Sequence, residues 1–104
     1  MLRGDVWWAA LGPPIGKRPV VIITRNSAIP VRTVVTIVEV TSTIRGIPVE
    51  VALGPEDHLP KRCVANCDAI LTIPKASLTD RITHLSPEKL QAVDHALKYA
   101  LDLR

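Results

Sequence analysis

The pattern of apolar positions changes character near residue 74. Before that point, apolar residues alternate with polar ones or run unbroken over short stretches cut by proline and glycine. After it, they recur at helical spacing. Val, Ile and Thr total 30, and 26 of them lie in residues 1–73. β-branched side chains lose rotamer freedom in helices and pack well on a pleated surface, so the first part reads as strand. The pattern predicts strands over Asp5–Leu11, Pro19–Thr24, Val34–Thr41 and Val49–Leu53. Two short strands near Cys63–Ala65 and Ala69–Thr72 follow, and a last one runs through Arg81–His84. The unbroken run Val20–Ile23 predicts a strand buried on both faces.

The end of the chain predicts one helix. Ser86 is a good N-cap, Pro87 fits the first helical position, and Glu88 suits the positive helix start. Leu90, Val93, Ala96, Leu97, Ala100 and Leu101 form an apolar stripe, with charged residues on the other face. Asp94 and Lys98 are spaced to pair at i,i+4, and His95 falls on the solvated face. Short strands closed by one helix predict a mainly β chain with a C-terminal helix. The expected architecture is a small, strongly bent antiparallel barrel in which closure removes exposed edges.

Composition narrows the class without naming a function. The 104 residues, 47% hydrophobic and 22% charged, suit one globular domain over 1–104 and argue against disorder. No apolar run approaches the ~18 residues of a membrane span, and the start lacks the apolar region of a secretory signal, so the expected address is the cytoplasm. The net charge of +3 permits an anionic partner, but its 13 Lys and Arg are too dispersed for a duplex-coating protein. Cys63, Cys67, His58 and His84 are conceivable metal ligands. Yet Cys63 and Cys67 lack a second closely spaced ligand pair, and free buried thiols are the commoner outcome. No glycine-rich phosphate loop, G-x-S-x-G or H-E-x-x-H occurs.

Three features carry possible chemistry. Lys17 and Arg18 end a Pro/Gly loop just before the buried strand. A guanidinium there can hold a phosphate through two oxygens, and it can equally be a solvated loop cation. Thr41, Ser42 and Thr43 end the third strand, where hydroxyls can donate to a phosphate or simply make a turn. Asp68 sits in apolar surroundings, where desolvation raises a carboxyl pKa and suits it to act as a base; a turn cap is the plainer role.

Together, in this order, these features resemble the MazF/PemK (Kid) family of toxin endoribonucleases from toxin–antitoxin systems. Arg3-Gly4-Asp5-Val6-Trp7 is similar to the family's opening, and Arg18-Pro19-Val20-Val21-Ile22-Ile23 to its second strand. Val38-Glu39-Val40-Thr41-Ser42, Cys67-Asp68-Ala69-Ile70-Leu71-Thr72-Ile73-Pro74-Lys75, and the Leu85–Leu97 segment are similar to three further family segments. The resemblance implies an SH3-like barrel with an added helix, working as a homodimer and blocked by a cognate antitoxin. It implies metal-independent, cofactor-free cleavage of single-stranded RNA, mostly mRNA, at short sequences. In that reaction the 2′-hydroxyl attacks and leaves a 2′,3′-cyclic phosphate and a 5′-hydroxyl.

By the same resemblance, Arg18 and Thr41 are the catalytic Arg and Thr, and Asp68 is the acidic residue proposed as base. Lys17, Ser42, Asn66 and Ala69 then fall to substrate binding. The chain departs from the family where some members carry Arg and this one has Asn66, and where several carry Gln or Asn and this one has Ala69, whose backbone alone can touch RNA. The loop before Arg18 is short and has no acidic residue. Only Trp7, Trp8 and Tyr99 are aromatic, and adjacent strand residues face opposite ways, so one Trp is expected in the core. The related CcdB toxins, which bind DNA gyrase through a C-terminal Trp-Gly-Ile, offer a rival reading; this chain ends Leu101-Asp102-Leu103-Arg104. A plain nucleic-acid-binding barrel is a third.

Overall fold

A computed structural model describes all residues, 1–104. Six strands and one α-helix follow in order: β1 (Asp5–Ala10), β2 (Lys17–Ile22), β3 (Val34–Thr41), β4 (Glu50–Leu53), β5 (Cys63–Pro74), β6 (Leu78–His84) and α1 (Pro87–Ala100). The strands form one sheet in the order β4-β5-β3-β2-β1-β6, and every adjacent pair is antiparallel. No helix is long and apolar enough to cross a membrane.

Alternation builds two cores on the two sides of this sheet. Val6, Val21, Val38 and Ala65 join Val93 and Ala96 of α1 on one side. Ala9, Val20, Ile22, Ile37 and Ile73 lie on the other, covered by Ile29. Val20, Val21 and Ile22 are all fully buried, as the unbroken run predicts for a strand covered on both faces, whereas Ile23 lies beyond the end of β2 and is half-buried. Burying aliphatic side chains contributes roughly 1.5–3 kcal/mol each, so this central strand anchors the fold.

The sheet curls without closing. β4 and β6 are its two edges, and neither pairs with the other. The edges are managed differently from the expected closure: β4 is only four residues long, and the Lys89 ammonium of α1 donates to the Ala52 carbonyl on it. The two short strands expected around Cys63 and Ala69 are one strand. Their ladder with β3 is interrupted where Val38 faces Ile70 but Glu39 faces Asn66, leaving Cys67, Asp68 and Ala69 as a bulge. Within it the Asp68 N–H donates to Asn66 Oδ1 at 3.0 Å, and the Cys67 N–H donates to the Val49 carbonyl at 2.9 Å.

α1 begins where the capping residues place it, with Ser86 Oγ accepting the Lys89 N–H at 3.2 Å and Pro87 in the first turn. Two expectations for it fail. Asp94 pairs with Arg3 at 2.6 Å instead of Lys98, because the N-terminal segment runs beside this helix face. Leu101 is exposed because it lies beyond the last helical residue. Arg3 is followed by Gly4 at φ +92°, where a Cβ would stand 2.9 Å from Leu90 Cδ2. Only glycine allows both that backbone and the close approach of α1.

Candidate active site

The β1–β2 hairpin sets the first wall of the site. Gly12 and Gly16 take positive φ in the connection, and the Leu11 N–H donates to the Gly16 carbonyl at 3.0 Å. This register sets Ala10 opposite Lys17, Ala9 opposite Arg18 and Trp8 opposite Pro19. The end of β3 supplies the second wall with Thr41, followed by Ser42. The third is the segment between β4 and β5, where a turn is held by the Gly54 N–H donating to Asp57 Oδ2 at 3.0 Å and Leu59 is inserted in the core. Between them lies a cavity of about 250 Å³. Lys17, Arg18, Thr41 and Ser42 line it, together with Trp8 and Lys61.

Four of the seven residues singled out from the sequence therefore meet in one place. Thr41 is half-buried, and its Oγ1 accepts the Thr43 N–H at 3.2 Å. That bond occupies a lone pair and leaves the hydroxyl proton free to donate. Arg18 is half-buried, and its Nη1 donates to Glu39 Oε1 at 3.3 Å. Lys17 is exposed, lies 3.8 Å from Asp80 Oδ2, and places its ammonium 5.7 Å from the centre of the Trp8 ring. Ser42 is exposed at the cavity edge. The other three stand apart: Asn66, Asp68 and Ala69 lie at the β5 bulge and do not line this cavity. Asp68 is solvent-exposed rather than set in apolar surroundings, because its bulged position turns it outward.

The two tryptophans divide as alternation predicts. Trp7 packs against the second core and donates its indole N–H to Asp5 Oδ2 at 3.4 Å, whereas Trp8 faces the cavity. Three residues escaped the sequence reading. Lys61 looked like one of several loop cations. Glu39 looked like the ordinary polar position of an alternating strand. Asp5 looked like part of an opening motif, but its carboxylate is buried between local donors and two partners on β6. It accepts the Leu2 N–H at 2.9 Å and contacts His84 Nδ1 at 2.9 Å and Arg81 Nε at 3.5 Å. Burial opposes ionisation of Asp5, but the Leu2, His84 and Trp7 hydrogen bonds and the Arg81 charge outweigh it and hold the carboxyl below its ordinary value.

Cys63 lines the cavity floor as a buried thiol, and Cys67 does not line it. Burial pushes the Cys67 thiol up to about 11, and burial together with Asp57 and Glu56 raises Cys63. Both are free and buried. No group of three or more His, Cys, Asp or Glu side chains is gathered anywhere in the chain, so Cys63, Cys67, His58 and His84 do not form a ligand cluster. What the cavity offers is a guanidinium, two ammonium groups and two hydroxyls beside an indole, a donor set matched to a phosphodiester flanked by a base.

Residues 2–101 match the family described as PemK-like, MazF-like toxin of type II toxin-antitoxin system. The chain is 38% identical over 101 residues to the Mycobacterium tuberculosis protein named "Probable endoribonuclease MazF5", covering 96% of this chain and 92% of that one. Among solved structures it is similar to the Mycobacterium tuberculosis toxin MazF-mt6, with a TM-score of 0.89, 33% identity, and 96% and 98% of the two chains covered. It is also similar to a mycobacterial endoribonuclease in complex with its cognate antitoxin, with a TM-score of 0.90, 36% identity, and 100% and 97% covered.

Proposed function

Since the chain belongs to the PemK-like, MazF-like toxin family of type II toxin–antitoxin systems, we propose that it is an endoribonuclease that cuts single-stranded RNA, chiefly mRNA, at a short sequence. The observation that carries this reading is the meeting of Arg18 and Thr41 on one cavity with Lys17 and Lys61. The reaction proposed is in-line attack of the ribose 2′-oxygen on the adjacent phosphorus. The O2′–P bond forms and the P–O5′ bond breaks, giving a 2′,3′-cyclic phosphate and a 5′-hydroxyl. Charge grows on the non-bridging oxygens as this happens. A fixed guanidinium and a hydroxyl donor then hold the transition state more tightly than the ground state, which is what accelerates the step.

Arg18 supplies the charge and Thr41 the hydrogen bond. Arg18 is not assigned as the acid, since a guanidinium holds its proton too firmly at neutral pH; the departing O5′ takes its proton from solvent water. Asp68 is the proposed acceptor of the 2′-hydroxyl proton; since it stands at the β5 bulge outside the cavity, the ribose upstream of the gripped phosphate must lie toward that bulge, with one water relaying the proton. There Asn66 and the Ala69 backbone contact the substrate, while Lys17 and Ser42 hold it at the cavity mouth. Trp8 is the aromatic surface beside the phosphate on which a base can stack.

The protein acts in the cytoplasm as a homodimer, and a cognate antitoxin protein silences it. The mycobacterial structure of an endoribonuclease with its antitoxin supports that partner class. The gyrase-binding and plain nucleic-acid-binding alternatives predict no cutting. Incubating purified protein with an RNA pool and sequencing the new 5′ ends tests the proposal: one recurring sequence with 5′-hydroxyl ends supports it, and an intact pool refutes it.

A further inference from the structure

The proposed reaction leaves one carboxylate beside the cavity without a task. Glu39 lies in β3 opposite Val20 of β2 and Asn66 of β5. Its side chain is only 14% exposed. Arg18 precedes Val20 by two residues and so projects from the same side of β2. Its Nη1 reaches diagonally across to Glu39 Oε1 at 3.3 Å, and Glu39 is its protein partner. Two residues further along β3, Thr41 projects from the same side as Glu39 and lines the cavity with Arg18. One strand thus carries both the hydroxyl proposed to bind the phosphate and the carboxylate that ties down the guanidinium.

Resting on the reading of Arg18 and Thr41 as the phosphate-binding pair, we propose that Glu39 is a positioning residue for RNA cleavage. It holds one nitrogen of the Arg18 guanidinium so that the others are fixed beside Thr41. A long Arg side chain at a cavity mouth is otherwise free to sample many rotamers, most of them off the phosphate. Tethering one end of the planar fork removes that freedom while leaving further N–H groups to donate. The same carboxylate places negative charge next to a phosphate site. It therefore opposes ground-state binding of RNA while improving the orientation that the transition state needs.

These opposed effects separate positioning from scaffolding. Glu39→Met keeps the side-chain volume and removes both charge and acceptor. Glu39→Gln keeps an oxygen that accepts from Arg18 and removes only the charge. The experiment measures single-turnover cleavage of an RNA oligonucleotide that the wild-type protein cuts. It also measures the Kd for the same oligonucleotide with 2′-deoxyribose at the cut, alongside the melting temperature. The Met variant should lose about 10- to 10²-fold in the cleavage step with a Kd no weaker than wild type, and the Gln variant should recover most of that loss. A Met variant that cuts at the wild-type rate, that slows only in proportion to weakened binding or lost folded protein, or that Gln does not improve upon overturns the role. If the wild-type protein itself cuts no RNA, the endonuclease reading fails first and takes this role with it. If wild type cuts and Arg18→Ala does not, a null result at Glu39 counts against the positioning role alone.

Discussion

Asp5 and His84 face each other across β1 and β6, with Oδ1 and Nδ1 2.9 Å apart and the Asp5 side chain 3% exposed. The contact joins the first strand to the last and sits beside Gly4, whose carbonyl accepts the Leu85 N–H. Because the Asp5 carboxyl is held below its ordinary value, it stabilises the fold wherever the unfolded carboxyl is ionised. That contribution is present in full above the ordinary carboxylate range near pH 4 and disappears as pH falls through the lowered folded value. Urea titrations from pH 6 downward should show stability falling in that window. Asp5→Ala should cost about 1–3 kcal/mol at neutral pH by stranding its partners and should flatten the acid dependence. An unchanged slope would assign the loss to other carboxylates.

Arg18→Ala should abolish cleavage while the circular dichroism spectrum stays near wild type, with a melting temperature lowered only by the unpaired Glu39 carboxylate left behind. The side chain is at the cavity mouth and belongs to neither core. Gel cleavage beside thermal melting checks this, and a variant that still cuts removes Arg18 from the chemistry.

Thr41→Val keeps the shape and removes the donor. If the hydroxyl acts on developing phosphate charge, the cleavage step should slow about 10²–10³-fold. The lost Thr43 N–H contact is exposed, so the fold should be little affected. A normal rate would return Thr41 to the turn role that its residue type also fits.

Asp68→Asn tests the proton acceptor. Impaired cleavage with retained binding supports it. A wild-type rate passes the base role to another group or to water, consistent with the exposed position of Asp68 outside the cavity.

Leu97 packs half-buried against the larger core from α1. Leu97→Asp should cost about 2–3 kcal/mol, lowering Tm by roughly 10 °C or more. An unshifted melting temperature would contradict the docking of the helix.

Local rules made most of the elements legible. β-branched composition, alternation and the unbroken run Val20–Ile23 anticipated β1 to β4, with Val34–Thr41 matching to the residue and β2 starting two residues earlier than expected, and the Ser86–Pro87 pair marked the start of α1. What local rules missed depends on partners distant in sequence. The bulge that fuses two expected strands into β5 is set by pairing with β3. Asp94 was matched to Lys98 four residues on because Arg3, 91 residues away, leaves no local trace. Within the site, Arg18 and Thr41 could be named from their motifs, but Glu39 and Lys61 could not. A Glu at an alternating strand position and a Lys in a loop look alike whether or not they face a cavity. Asp68 illustrates the converse, since its apolar neighbours in sequence turn inward while the bulge turns it out.

The central claim is that the substrate's own 2′-oxygen is the nucleophile, with Arg18 and Thr41 gripping the phosphate that it attacks. The most direct measurement uses two matched oligonucleotides carrying the preferred sequence, all-ribose in one and with a single 2′-deoxyribose immediately upstream of the cut in the other. The account predicts that both bind with similar affinity, that the first yields 2′,3′-cyclic phosphate and 5′-hydroxyl ends, and that the second stays intact. Scission of the second at the same linkage would contradict it.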